Sequence, residues 1–278
     1  MIKLVIYATH SDGYFDLLIE NATKLGYHIE ILGWQEKWLG FYKRTLDLYN
    51  YLSTQNDNDI ILCIDGFDSL ILDDSKTLFN KYKSFHSPIV WGIEKNDIIK
   101  PLVFKSKYKY TLNGGSFIGT VKYLNIIFKE IINKFGTTNF KQDDQKIINY
   151  MNNHNDVFKK YVQVDIDSKL FANITFDSLI YTILNYFNIS IDQSHYSHVI
   201  DLENDIILDK FTKIQPSIIS GPGNVNISHM VQYITKCDVP KRKGYQIFLL
   251  KNFKYEILFI IILILVIWLI IKTCRKLI

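Results

Sequence analysis

The sequence predicts an α/β layer fold, and three observations carry that prediction. Short apolar runs alternate with helical patterns through the first 120 residues. The run Ile60–Ile64 is apolar throughout, as a strand covered on both faces requires. That run ends in carboxylates, Asp65-Gly-Phe-Asp68, at the end of a strand where open α/β sheets bind ligands. A body of roughly 240 residues can bury one sizeable core. The 18 Tyr and 18 Phe argue against disorder.

Taken in order, Lys3–Tyr7 reads as a first strand, too short for a secretory signal. Asp12 is placed to cap a helix running through Leu25, with Gly26 just past its end. His28–Leu32 is a second strand. Phe41–Leu52 carries Phe41, Leu46, Leu48, Tyr49 and Leu52 at amphipathic helical spacing. Ile60–Ile64 is the central strand, Leu78–Phe85 a short helix and Ile89–Trp91 another strand. Lys95, Lys100, Lys105, Lys107 and Lys109 make the stretch 97–110 an expected exposed loop. Ser116–Thr120 returns to the sheet, followed by helices at Val121–Lys134 and Gln142–Asn152. After Tyr161–Val164 the pattern weakens through residue 208. Pro216–Ser220 is expected as a last strand and Ile227–Lys236 as a last helix.

Charge separates the body from the tail. From residue 241 onward, Lys241, Arg242, Lys243, Lys251, Lys254, Lys272, Arg275 and Lys276 stand against Glu256. The chain's net +4 therefore leaves the first 240 residues mildly acidic, which does not indicate a nucleic-acid surface. Residues 257–271 are uncharged and apolar on every face, which predicts a membrane anchor after a basic linker at 241–256 and before a basic tail at 272–278. Five basic residues precede this span and three follow it, placing the body on the cytosolic side. Sequons at Asn21, Asn173, Asn188 and Asn226 point instead to a lumenal body, but are discounted in so Asn-rich a chain. Cys63, Cys237 and Cys274 make neither a disulfide framework nor a zinc pattern.

Four segments could carry chemistry. Asp65 and Asp68 offer hard oxygen ligands suited to Mn²⁺ or Mg²⁺, and such an ion would bind a nucleotide's diphosphate. Asp and Gly after a strand are also ordinary turn chemistry. Leu112-Asn-Gly-Gly-Ser-Phe-Ile-Gly119 contains paired glycines, Gly114 and Gly115, which allow close backbone approach to a ligand or a sharp turn before a strand. Gln142-Asp143-Asp144-Gln145 opens a helix, where acidic residues suit the dipole and could also face a sugar. Pro216-Ser-Ile-Ile-Ser220-Gly-Pro-Gly-Asn224 ends a strand in a Gly-rich turn able to close over a pyrophosphate. No Gly-x-Ser-x-Gly, His-Glu-x-x-His or GxGxxG motif is present.

Read together, these segments resemble the glycosyltransferase domain of the collagen lysyl hydroxylases, the procollagen-lysine glycosyltransferase family. The resemblance runs through Gly33-Trp34, Trp38-Leu-Gly40 and Lys43, then Asp65-Gly-Phe-Asp68 and Trp91-Gly-Ile-Glu94. It continues through Leu112–Gly119, Asp143-Asp144-Gln145, Asp165-Ile-Asp167-Ser-Lys-Leu-Phe171 and Ser220-Gly-Pro-Gly223-Asn224. It implies a GT-A fold, a Rossmann-like, mixed but mostly parallel sheet flanked by helices, over residues 1–240. It also implies a UDP-sugar donor, a Mn²⁺ (or Mg²⁺) cofactor and a hydroxyl acceptor such as a hydroxylysine of a collagen-like protein.

Carried over by position, Asp65 and Asp68 are metal ligands. Lys43, Phe67, Gly114, Gly115, Gly221, Gly223 and Asn224 contact the donor, Phe67 in the place of an aromatic that packs on uracil. Asp143, Asp144, Glu94 and Asn113 surround the sugar and acceptor. The family's third metal ligand is a histidine where Ser220 stands here, and a hydroxyl is a poorer ligand than imidazole. His229 is the nearest replacement in sequence. The alternative is an inactive relative that binds a nucleotide sugar or a partner at a membrane.

Overall fold

Alternation along β1 (Ile2–Tyr7) sets the architecture. Leu4 and Ile6 enter one core and Val5 the other, because successive strand side chains point to opposite faces. The structure, a computed structural model, describes residues 2–239 apart from 96–98, 139, 141, 187–190 and 224, together with 258, 261, 262, 264, 265 and 268. The chain forms two units, Met1–Arg242 and Lys243–Ile278. In the first, β1 is followed by α1 (Phe15–Lys24), β2 (His28–Leu32), α2 (Phe41–Leu52) and β3 (Ile60–Asp65). Then come β4 (Ser69–Ile71), α3 (Ser75–Lys83), β5 (Ile89–Lys95), α4 (Ile99–Val103), β6 (Tyr110–Thr120) and α5 (Val121–Phe135). Next are α6 (Asp144–His154), α7 (Asp156–Tyr161), β7 (Val162–Val164), β8 (Phe171–Asn173) and α8 (Leu179–Tyr186). The hairpin β9 (His198–Asp201) and β10 (Ile206–Asp209) precedes β11 (Ile218–Ser220) and α9 (Ser228–Thr235).

The main sheet has the order β2-β1-β3-β6-β5-β7. β1 runs parallel to β2 and β3, and β5 parallel to β7, while β6 is antiparallel to both its neighbours. The sheet is thus mixed and mostly parallel, as the family resemblance implies. On one face Ile61, Cys63, Trp91 and Phe117 pack with Tyr42, Leu46 and Leu52 of α2 and with α5, α6 and α7. On the other, Leu62, Ile64, Val90 and Ile118 pack with Phe15 and Leu18 of α1 and Leu78 and Tyr82 of α3. A three-stranded sheet, β4-β11-β8, builds a third core with Tyr14 and α9. The pairing Ser69↔Ser220 within it brings the end of β11 beside the Asp65–Asp68 loop.

Several sequence expectations change. Helix α1 starts at Phe15, and the Asp12 carboxylate receives the Gly13 N–H rather than capping the helix. Gly13, at φ +58°, is needed there because a Cβ would stand 2.1 Å from the Phe67 carbonyl oxygen. The lysine-rich stretch is not all loop: α4 forms within it, and Lys100 turns inward to pair with Glu94. Gly114 and Gly115 lie inside β6 rather than in a turn before it. In the poorly patterned region, Asp165 organises the chain by accepting the backbone N–H groups of Lys169, Leu170 and Phe171 at 2.7–2.9 Å. Most of the expected anchor at 257–271 lies outside the described residues. Among the described residues no helix is long and apolar enough to cross a membrane.

Candidate active site

A bulge in the central sheet builds the site. Trp91 pairs with Phe117 and Ile93 with Leu112, so Asn113-Gly114-Gly115-Ser116 stand opposite the single residue Gly92. Two local features hold the displaced segment. Trp91 Nε1 donates to the Asn113 carbonyl at 2.6 Å, and the Asn113 side-chain oxygen accepts from Gly115 N at 2.8 Å. Asn149 of α6, fully buried, exchanges two hydrogen bonds with the Leu112 backbone at 3.0 and 3.2 Å, so the disrupted ladder leaves that peptide satisfied. Gly92 itself has no room for a Cβ, which would meet Phe171 and Ser116 at 2.9 Å.

The bulged glycines make space for an ion bridge. Asp65 ends β3, Asp144 begins α6, and Arg44 of α2 reaches between them. Arg44 Nη1 donates to Asp65 Oδ1, while Nε and Nη2 both donate to Asp144 Oδ2, at 3.0 and 2.5 Å. A Cβ on Gly115 would lie 2.2 Å from Asp65 Oδ1. One on Gly114 would crowd Asp144 Oδ1 at 3.0 Å and Arg44 Nη2 at 3.1 Å. Burial pushes the Asp144 carboxyl up to about 6, with Arg44 pulling it back down. Asp143 caps α6 through Lys146 N at 2.9 Å, and burial raises its carboxyl too.

A second polar cluster adjoins the first. Glu94, 1% exposed, accepts from Lys100, from Asn113 Nδ2 at 3.1 Å and from Gln145 Nε2 at 2.9 Å. From Asn113 the chain of contacts continues through Ser116 to Asn173, whose Oδ1 also accepts from Ser220 Oγ at 2.5 Å. Glu94, Asn113 and Ser220 are therefore tied into one buried network, beside the Asp65–Arg44–Asp144 bridge. Asn173 in this network and Arg44 in the bridge are residues that the sequence did not single out for the site. Asn173, a nominal sequon, is 4% exposed and closed to a glycan in the folded chain.

The remaining predicted residues fall as follows. Lys43 does not enter the bridge; its ammonium pairs with Asp47 and, at 3.5 Å, with Glu36, and its neighbour Arg44 takes the inward position. Phe67 is half-buried, T-shaped to Phe15 and tilted against His10 at a 5.4 Å centroid distance. Gly221 N donates to the Asp68 carbonyl at 2.9 Å, and a Cβ on Gly221 would strike Val225 O at 2.3 Å. Gly223 adopts φ +74°, and Asn224 lies outside the described residues.

His229 does not replace the missing ligand: it packs edge-on against Tyr196, and among the described residues no group of three His, Cys, Asp or Glu is placed to hold a metal. Asp65 and Asp68 carry hard oxygen donors of the type that divalent cations take. Ser220 is committed to Asn173.

Comparison with known proteins closes the description. No curated protein sequence matches the chain. Among solved structures, a glycosyltransferase involved in glycosylation of the major capsid of PBCV-1 is 13% identical. It covers 62% of this chain and 84% of its own, with a TM-score of 0.39. The A197 protein from STIV is 12% identical, with coverages of 59% and 80% and a TM-score of 0.36. A 4-diphosphocytidyl-2C-methyl-D-erythritol synthase from Anaerococcus prevotii is 10% identical, with coverages of 59% and 87% and a TM-score of 0.35. A family model described as the PLOD GT domain matches residues 1–239, and the chain belongs to that glycosyltransferase family.

Proposed function

We propose that this glycosyltransferase moves a hexosyl group from a UDP-sugar to a hydroxyl acceptor, with Asp65 and Asp68 holding a divalent cation. The observation that carries the reading is the convergence of Asp65, Asp144 and Glu94 around the Asn113–Ser116 bulge. Transfer breaks the bond between the sugar's anomeric carbon and the diphosphate oxygen and forms one to the acceptor oxygen, whose proton passes to water. When bound, the cation neutralises the charge left on the departing UDP. Asp144, held through Arg44, presents a fixed carboxylate to the sugar and acceptor hydroxyls. Glu94, held by three donors, fixes Asn113 and with it the bulge.

The acceptor class that family membership suggests is a hydroxylysine side chain or its galactosylated form, as in collagen-like proteins. The basic and apolar stretch from 241 to 278 would anchor the body to a membrane. One observation favours a second reading, an inactive relative that binds a nucleotide sugar: the hydroxyl at 220, where the third ligand belongs, is already engaged by Asn173. The test incubates the full chain with a panel of UDP-sugars, with and without Mn²⁺, and measures UDP release with a hydroxylysyl peptide as acceptor. Metal-dependent release from one donor is the expected result. Mn²⁺-dependent UDP binding without any release would select the inactive relative.

A further inference from the structure

The bridge between Asp65 and Asp144 is asymmetric. At the Asp144 end, Arg44 places Nε and Nη2 on one oxygen of a carboxylate whose side chain is only 5% exposed. At the Asp65 end it places a single nitrogen, Nη1, on a carboxylate whose side chain is 29% exposed. A doubly held, buried contact outlasts a single contact open to water, since water competes for the exposed charge. Arg44 also packs over the Phe41 ring, 5.6 Å from its centroid. The neighbouring Lys43 is diverted to Asp47 and Glu36. The guanidinium is thus anchored at Asp144 and releasable at Asp65.

We propose that Arg44 is the site's own counter-ion and competes with the divalent cation for Asp65. The inference rests on Asp65 and Asp68 as the cation's carboxylate ligands. Where two carboxylates hold the cation, surrender of one to a guanidinium weighs heavily. A cation arriving at Asp65 must displace Nη1, and Arg44, still held by Asp144, remains close enough to repel it. A cation held by Asp65 would share that carboxylate's surroundings with the guanidinium, in a partly desolvated site where Coulomb repulsion is strong. Affinity for the free cation is set by a displaceable side chain as much as by the aspartates. A nucleotide diphosphate, bringing its own negative charge, would offset Arg44 and favour entry of cation and nucleotide together.

The test is calorimetric titration of the full chain with Mn²⁺ alone, in wild type, Arg44→Gln and Arg44→Lys. Removing the charge in Arg44→Gln is expected to tighten Mn²⁺ binding at least tenfold. Keeping it in Arg44→Lys should leave affinity within about threefold of wild type. Equal or weaker binding by a folded Arg44→Gln overturns the proposal while leaving the cation site in place. Absence of Mn²⁺ binding in every form, alongside UDP release in the donor assay, overturns both the cation site and the competition but not the glycosyltransferase reading. Should Arg44→Gln fail to fold, the wild type still decides. Nitrogen-15 arginine spectra are followed during titration with diamagnetic Mg²⁺. The Arg44 side-chain resonance is expected to shift and lose exchange protection saturably. A resonance unmoved through the titration overturns the proposal.

Discussion

Gly115 lies so close to Asp65 that a Cβ built on it would stand 2.2 Å from Oδ1 and 2.4 Å from Cγ of that carboxylate. Those atoms are the end of a side chain held by a single releasable contact from Arg44, so the carboxylate is what gives way. Gly115→Ala is therefore expected to expel Asp65 from the bridge, at a stability cost of about 1–3 kcal/mol for the overpacking. Thermal unfolding and UDP release, measured together, should show a lowered Tm and at least a tenfold loss of turnover. Wild-type turnover in the alanine variant would show that the Asp65 position does not matter to the reaction.

Asp65→Asn isolates charge from shape. The amide keeps an oxygen for Arg44 Nη1, and Asp144 still holds the other side of the guanidinium. Stability should change little, whereas turnover should fall by at least a hundredfold because a neutral amide neither holds a cation nor balances Arg44. Circular dichroism and UDP release report the two halves. Retained turnover would remove Asp65 from the list of ligands.

What the sequence made legible was local. The alternation of β1 and the unbroken apolar β3 identify the sheet, and the carboxylates after β3 stand in one stretch with it. The bulge was hidden because it depends on Gly92 across the ladder, so Gly114-Gly115 resembled a turn. Arg44 was hidden for another reason: successive helical residues differ by about 100° in direction. Nothing within α2 shows that Lys43 faces Glu36 and Asp47 while Arg44 faces Asp65 and Asp144. Asn173 read as a sequon because its buried partners, Ser116 and Ser220, come from distant segments.

Asp144 predicts a pH dependence. Burial raises its carboxyl from the usual 3.8 to about 6, so the folded chain retains a proton that the unfolded chain releases first. This group's contribution to stability is therefore greatest below about pH 4, declines as pH rises towards 6, and is level above that. Urea unfolding at pH 4, 5, 6 and 7 should show the stability of wild type falling relative to that of Asp144→Asn as pH rises. Turnover should do the opposite and rise through about pH 6, as the carboxylate becomes ionised. Identical stability slopes in both chains would mean that Asp144 titrates elsewhere.

Ser220 gives the sharpest test of the donor set. Its hydroxyl donates to Asn173 Oδ1 at 2.5 Å and is 4% exposed, so its proton is committed to the buried network. Ser220→Ala removes that bond and leaves Asn173 Oδ1 only the longer contact from Ser116, at 3.4 Å. A stability loss of about 1 kcal/mol is expected from one neutral buried hydrogen bond. Affinity for Mn²⁺ should stay within about threefold of wild type, since a hydroxyl is a weak ligand beside two carboxylates. A tenfold or larger loss of Mn²⁺ affinity in a folded Ser220→Ala chain would make Ser220 a ligand after all. Unchanged affinity with lowered Tm assigns its hydroxyl to the network that holds Asn173, Ser116 and the bulge.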